Sequence, residues 1–449
     1  MTGAVQAETL AHLQRLIQFA TVNPPGDELA LCRHLVATLE HEEIETRLYE
    51  PAPGRGLVTA RLRGSGALRP VLLLAHTDVV GVTPERWTVP PFGGEVRDGY
   101  VYGRGAIDDK GMLAVNLMTV LLLQRRLRDG GARLTRDVVF VATPDEEAGS
   151  EWGLQWLLAH HPEELHAEFA LNEGGRVRVV DGRPLYAAIQ VAEKVPHLVT
   201  ITARGPTGHA AVPLAGNAIT RLGRALAAIG AHQEPLVIGE TTRRFFGGLA
   251  AVWPHGSQAG AMAEVASDDP AHAERAAALL AQLPAFGAVL RAGISPVLVN
   301  GGVRENVIPE HASATLAVRT LPGQALHEVV ARMRAAVDDA KVDVAVAHEA
   351  DDAPSSDADG PLFAALADVM RAEQPGLAVA PYVSTGATDN ARLRRAGIPA
   401  YGLLPFPLDA GDESRMHGHD ERIPVDALHW GVRVVYGTVA RVALDAQGD

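Results

Sequence analysis

The chain has 449 residues, 47% of them hydrophobic, enough for a substantial core and too long for one ordinary domain, so two domains are expected. Its 54 acidic residues outnumber 40 basic ones, and the formal charge of −14 leaves no basic footprint for a nucleic-acid partner. The single cysteine, Cys32, excludes an internal disulfide and any cysteine-based zinc cluster, so a metal would have to be held by His, Asp and Glu.

Helical periodicity runs over residues 7–20 and 27–43, interrupted by the breaker Asn23-Pro24-Pro25-Gly26. The first of these segments mixes charges and lacks the unbroken apolar run of a secretory signal. No stretch approaches the ~18 apolar residues that a membrane span needs, so no membrane partner and a cytoplasmic location are expected. Strands and helices then alternate: GLVTARL, VLLLAH, a helix over 111–128, DVVFVAT, a helix from about Glu151, and AEFALN. From residue 195 the style changes to alternating strands (VPHLVTITARG, SPVLVN, ASATLAVRT, VDVAVAHE) with helices at 218–229 and 325–337. After the linker-like 351–360 the α/β style resumes, ending in a helix over 424–443. The expected fold is therefore α/β, a mixed, mostly parallel sheet flanked by helices, with a smaller α+β domain inserted. The expected bounds are 1–194 with 351–449 for the outer, discontinuous domain and 195–350 for the insert.

Several apolar strands finish in groups that bind cations or move protons. VLLLAHTDVV places His76 and Asp78 on one side of an extended chain, where the acid can orient the imidazole; a strand simply reaching water is the plainer account. YGRGAIDDKG is glycine-rich, yet it has neither phosphate-binding spacing, and Asp108 and Asp109 would repel an anion, which argues against a nucleotide enzyme built on Gly103 and Gly105. In VATPDEEAGS, Glu146 and Glu147 can divide base and ligand roles, or can merely complement a helix N-terminus. ALNEGG adds Glu173, and SRMHGHDERIP adds His417 and His419. Together His76, Asp108, Glu147, Glu173 and His417 fall where open α/β sheets gather ligands. Oxygen and nitrogen donors without a thiolate suit two divalent ions, zinc foremost, with cobalt or manganese also accepted by such donors.

The ordered set HTDVV, YGRGAIDDKG, DEE, NEGG, GPTGHAAVP, NVIP and HGHDERIP resembles the co-catalytic zinc amidohydrolases and exopeptidases: aminoacylase, glutamate carboxypeptidase, carnosinase-type dipeptidases and succinyl-diaminopimelate desuccinylase. The resemblance implies a zinc-exopeptidase-like fold with the insert as lid and dimerisation domain. It makes Asp108 the carboxylate bridging two metals, His76 and Glu173 ligands of one, and Glu147 and His417 ligands of the other. Glu146 becomes the general base and Asp78 the orienter of His76. His209 would reach a dimer partner's active site to stabilise the oxyanion, and Asn306 and Arg319 would position a substrate carboxylate. The implied reaction is metal-assisted amide hydrolysis of small peptides or N-acyl amino acids. A metal- or peptide-binding relative without turnover is the alternative, which a missing ligand or base would favour; none is missing. Ser384, Thr385 and Thr388 are further candidate donors to substrate, and residues 231–300 form a long stretch of insert with either the cleft or the dimer contact as its place.

Overall fold

An unbroken apolar strand has to be covered on both faces, and the strand Val71–His76 is. In the computed structural model, which describes residues 2–130 and 132–445, Val71, Leu73 and Ala75 enter one apolar layer while Leu72 and Leu74 enter the opposite one. The first layer is built by helices Gly3–Ile17, Leu29–His41, Lys110–Arg128, Pro361–Glu373 and Val425–Ala443. The second is built by helix Leu154–His160 with Leu165, Leu393 and Ile398. Met1, Gly131 and 446–449, inside the expected outer domain, lie outside the described residues.

The large sheet has eight strands in the order 45–52, 55–62, 138–143, 71–76, 169–180, 400–408, 183–193 and 378–384. Its centre is parallel, from 138–143 through 71–76 and 169–180 to 400–408, with antiparallel pairs at the flanks. The expected mixed sheet flanked by helices is therefore present, and its parallel centre brings the carboxyl ends of strands 71–76 and 138–143 close to Glu173, which lies within strand 169–180. A smaller antiparallel sheet, ordered 293–301, 311–320, 195–204 and 342–348, carries helices Ala218–Ala231 and Leu326–Val337 on one face.

Two features depart from the sequence reading. The strand containing Glu173 does not end there: it runs from Phe169 to Val180 and turns directly into Arg183–Glu193. The turn is Asp181-Gly182, both at positive φ (51° and 76°), the Asp-Gly pairing that a tight hairpin favours. Along this strand, a Cβ at Gly175 would lie 2.2 Å from the Gly402 carbonyl oxygen and 2.3 Å from that of Ala188, so neighbouring backbones approach there as only glycine permits.

The second departure concerns the expected insert of 195–350. Helices Glu240–Ala250, Gly256–Val265, Pro270–Leu280 and Pro284–Leu290 do not cover the small sheet. Phe245, Phe246, Leu249, Met262 and Phe286 pack instead on Tyr186, Ala188, Ala380 and Tyr382 of the large sheet. The reason is apolar demand: strand 378–384 is an edge strand whose inner face needs cover, and the aromatic cluster supplies it. Phe246→Ala should accordingly lower stability to urea unfolding by ~3–5 kcal/mol, the usual range for truncating a fully buried phenylalanine. A loss below ~1 kcal/mol would mean that this helical layer is not part of the core.

Candidate active site

At the carboxyl ends of the central strands the chain assembles a buried acid–imidazole cluster. His76 is the last residue of its strand, and its Nδ1 lies 3.0 Å from the backbone oxygen of Asp78. A carbonyl can only accept, so Nδ1 carries a proton and Nε2 faces inward. There it meets Asp108 Oδ1 at 2.9 Å and Glu173 Oε1 at 4.0 Å. The other oxygen of Asp108 lies 3.1 Å from His417 Nε2, which is also 3.1 Å from Glu147 Oε1. One carboxylate thus sits between two imidazoles, with Glu147 on one side and Glu173 on the other. Glu146 joins His76 and Glu173 in a second triad whose candidate ligand atoms lie within 4.8 Å of one another.

Asp78 holds this arrangement differently from the sequence expectation. Its carboxylate is 3.5 Å from the His76 ring, and its main bonds go elsewhere: Oδ1 accepts from the Glu146 amide and Oδ2 from the Glu147 amide, each at 3.1 Å. Backbone carbonyl and side chain of one residue therefore orient the histidine and the two glutamates. The turn after strand 138–143 allows this because Asp145 adopts φ 72°, a left-handed conformation tolerable for aspartate, pinned by Asn23 at 3.0 Å and Arg55 at 3.1 Å. Asn23 also donates to Asp78 at 2.8 Å.

The loops carrying Asp108 and His417 are clamped by a buried ion pair. Glu421 Oε1 accepts from the amides of Ile107 (2.8 Å) and Asp108 (3.2 Å), and Oε2 accepts from Arg104 at 2.6 Å. Arg104 also donates to the carbonyls of His417 (3.2 Å) and Gly418 (2.8 Å). The sequence reading assigned no role to Arg104, Glu421, Asn23 or Arg55. Arg104 and Glu421 stand inside quoted motifs, the only signal available for them.

Electrostatics define what this cluster lacks. Six carboxylates (Asp78, Asp108, Asp109, Glu146, Glu147, Glu173) surround two imidazoles, and Lys110 turns aside to donate to the Phe19 carbonyl at 2.6 Å. Burial and neighbouring acids push Glu146, Glu173 and Asp109 well above the usual carboxylate range. Burial opposes charge on His76 too, yet Asp108 and Asp78 hold it well above its ordinary value, and bonds to Asp108 and Glu147 raise His417 to about 10. Asp109 Oδ1 is buried and has no hydrogen-bond partner among the described residues. Excess negative charge around two inward-facing imidazole nitrogens is an arrangement that divalent cations would satisfy in place of protons, and the donor set fits them.

A cavity of about 210 Å³ opens from the cluster, lined by Asp108, Glu146, Glu147, Glu173 and His417 at one end and by apolar side chains beyond them. Ser384 and Thr388 also line it; Thr385 does not, and Thr388 Oγ1 is committed to Glu193 at 3.0 Å. No lining residue comes from 195–350. His209 is exposed on the short pairing of Gly208–His209 with Val307–Ile308, its Nδ1 accepting from the Ala211 amide at 3.0 Å, which leaves Nε2–H free to donate. Asn306 is exposed beside it, and Arg319 is half-buried on the small sheet with Nη1 unpartnered. The single chain thus brings together six of the expected residues with Glu146 and keeps His209, Asn306 and Arg319 apart from them.

A parallel-centred sheet with an acid–imidazole cluster at its strand ends, and a small antiparallel sheet spliced into the chain, is the architecture of an exopeptidase-type amide hydrolase. The chain belongs to peptidase family M20/M25/M40, whose model matches residues 72–441. It is 30% identical over 370 residues to the N-fatty-acyl-amino acid synthase/hydrolase PM20D1 of Xenopus tropicalis, covering 80% of this chain and 70% of that protein. It is 27% identical over 418 residues to human aminoacylase-1, covering 91% and 89%. The M20 family metallo-carboxypeptidase Sso-CP2 of Sulfolobus solfataricus shares the fold with a TM-score of 0.70 at 18% identity, over 96% of this chain and 98% of that one. Among the described residues no helix is long and apolar enough to cross a membrane.

The Arg104–Glu421 clamp makes a direct prediction. Glu421→Ala leaves a charged guanidinium that is 2% exposed without its partner, so stability should fall by ~3–5 kcal/mol in chemical unfolding. A change below ~1 kcal/mol would show that the pair does not fasten the two loops.

Proposed function

We propose that this enzyme hydrolyses an amide bond in small peptides or N-acyl amino acids that carry a free carboxylate, using two divalent cations held by His76, Asp108, Glu147, Glu173 and His417. The observation that carries the proposal is the Asp108 carboxylate lying 2.9 Å and 3.1 Å from two imidazole nitrogens, flanked by further acids. Zinc suits that donor set best, and cobalt or manganese can replace it. Such cations, when bound, supply Lewis acidity: they polarise a carbonyl and bring the pKa of water from 15.7 to about 7.

Glu146 is the residue that moves the proton. It has no ring or guanidinium partner, lines the cavity and is fixed at its backbone by Asp78, so its carboxylate is free to accept a proton from the attacking water and return it to the departing amine. Asp78 keeps His76 in the tautomer that presents Nε2 inward. The candidate ligands and the candidate base lie together in one cluster, which supports catalysis over a binding-only relative. Glu146→Ala should retain two equivalents of metal by elemental analysis while kcat falls by ~10²–10⁴. Retained turnover would remove Glu146 from the role, and turnover insensitive to a chelator would remove the cations.

The remaining substrate groups need further donors, since in the acid cavity Arg176 is bonded to Glu413 and Thr388 to Glu193. Arg319 offers a planar fork for a carboxylate, Asn306 a second donor, and His209 an Nε2–H for the oxyanion. A homodimer through the small sheet supplies the geometry for His209. Edge strand Gly293–Gly301 leaves Val297, Leu298 and Val299 53%, 67% and 67% exposed, a row of unpaired apolar backbone suited to a second copy. If His209 acts across that interface, His209→Ala alone should lose ~10²–10³ in rate. Mixing it with Glu146→Ala under subunit exchange should restore activity, because one hybrid site then holds both groups. No recovery on mixing would place His209 within its own subunit's site or outside catalysis.

A further inference from the structure

The apolar side of the acid cavity meets an ion-paired cluster, and its size and lining bear on substrate choice. Strands Phe169–Val180 and Ala400–Leu408 run parallel, with Gly402 opposite Asn172, Leu404 opposite Arg176 and Leu408 opposite Arg178. Their walls therefore lead away from Glu173, about 3.3 Å per residue. Leu404, Phe406 and Leu408, two residues apart on one strand, line the cavity with Val177 and Met416. At the far end Glu413 bonds to both Arg176 and Arg178, and the Arg176 guanidinium lies 5.7 Å from the centre of the Tyr382 ring. Glu413 offsets one of the two positive charges and is bonded to both guanidiniums, so a substrate carboxylate arriving there would meet a carboxylate already in place, and breaking the cluster would strand a partly buried charge.

We propose, building on the function proposed above, that this cavity is the acyl pocket and that it takes a short apolar acyl group, an aromatic ring or a chain of similar bulk, and excludes a long fatty chain. The volume supports this: 210 Å³ exceeds the roughly 150 Å³ that admits benzene into an apolar cavity. It falls short of the roughly 300–1,000 Å³ of sites that engulf larger ligands. The amino-acid half, with its carboxylate, is left to Arg319 and Asn306. The pocket thus separates this chain from the fatty-acyl chemistry in its relative's name.

The test is a series of N-acyl-L-phenylalanines, from acetyl through hexanoyl and benzoyl to hexadecanoyl, with the metal-loaded enzyme. From acetyl to hexanoyl, kcat/KM should rise by up to about fourfold per methylene. The hexadecanoyl substrate should then fall at least ~10-fold below hexanoyl, a discrimination ordinary for a pocket of fixed size. Leu404→Trp should abolish the gain of hexanoyl over acetyl, and Glu413→Ala, which breaks the ion-paired cluster, should move the optimum to longer chains. Hexadecanoyl as the preferred group, or a hexanoyl-to-acetyl ratio unchanged in Leu404→Trp, overturns the proposal. If no member is hydrolysed, the proposed function fails, and the pocket is read instead by calorimetry with the free acids. Hexanoate binding more tightly than hexadecanoate and lost in Leu404→Trp sustains the pocket; binding that ignores chain length or this substitution refutes it.

Discussion

One carboxylate shared by two imidazoles governs this molecule. Asp108 reaches His76 with one oxygen and His417 with the other, and these residues are hundreds of positions apart in the chain. A buried acid can be kept charged only by compensating charge and hydrogen bonds, and six acids around two rings leave the compensation incomplete. The proposed cations would relieve that imbalance, and the structure around the cluster holds repelling groups in register.

The holding is done by backbone-directed bonds on rigid elements. Apolar packing on both faces fixes the strand that ends in His76, and its neighbour in the sheet delivers the Glu146–Ala148 turn. Asp78 then ties the histidine to the backbone of both glutamates, while Asp145, Asn23 and Arg55 fix the turn from behind. On the other side, Arg104 and Glu421 join the two loops that approach Asp108. The candidate ligating atoms are thereby held in advance, which would lower the cost of ordering them on cation binding.

Much of this was legible in the sequence because the chemistry-bearing residues interrupt apolar runs. His76, Glu146 and Glu147 stand out against VLLLAH and VVFVAT, and apolar strands in alternation with helical periodicity foretold the sheet. Arg104 and Glu421 were silent for a physical reason: their importance rests on contacts across more than 300 positions, and neither disturbs a local pattern. The placement of helices 240–290 was hidden in the same way. Their amphipathic faces declare that they pack, not on which sheet, and the aromatic partners Tyr186 and Tyr382 lie in segments far away in sequence. The hairpin at Asp181-Gly182 was missed although its turn signal was present, because the acid of NEGG suggested a strand end that Gly174 and Gly175 let the chain pass through.

Division of labour between the two sheets follows from these placements. The large sheet carries the acid cluster and the partly apolar cavity beside it, and the small one carries exposed donors and an unpaired edge. The most direct measurement of the central claim is anomalous diffraction at the zinc edge from crystals of the zinc-loaded protein. The account predicts two peaks, each about 2.0–2.2 Å from a different oxygen of Asp108. A single peak, or a pair with Asp108 ligating neither, would contradict it.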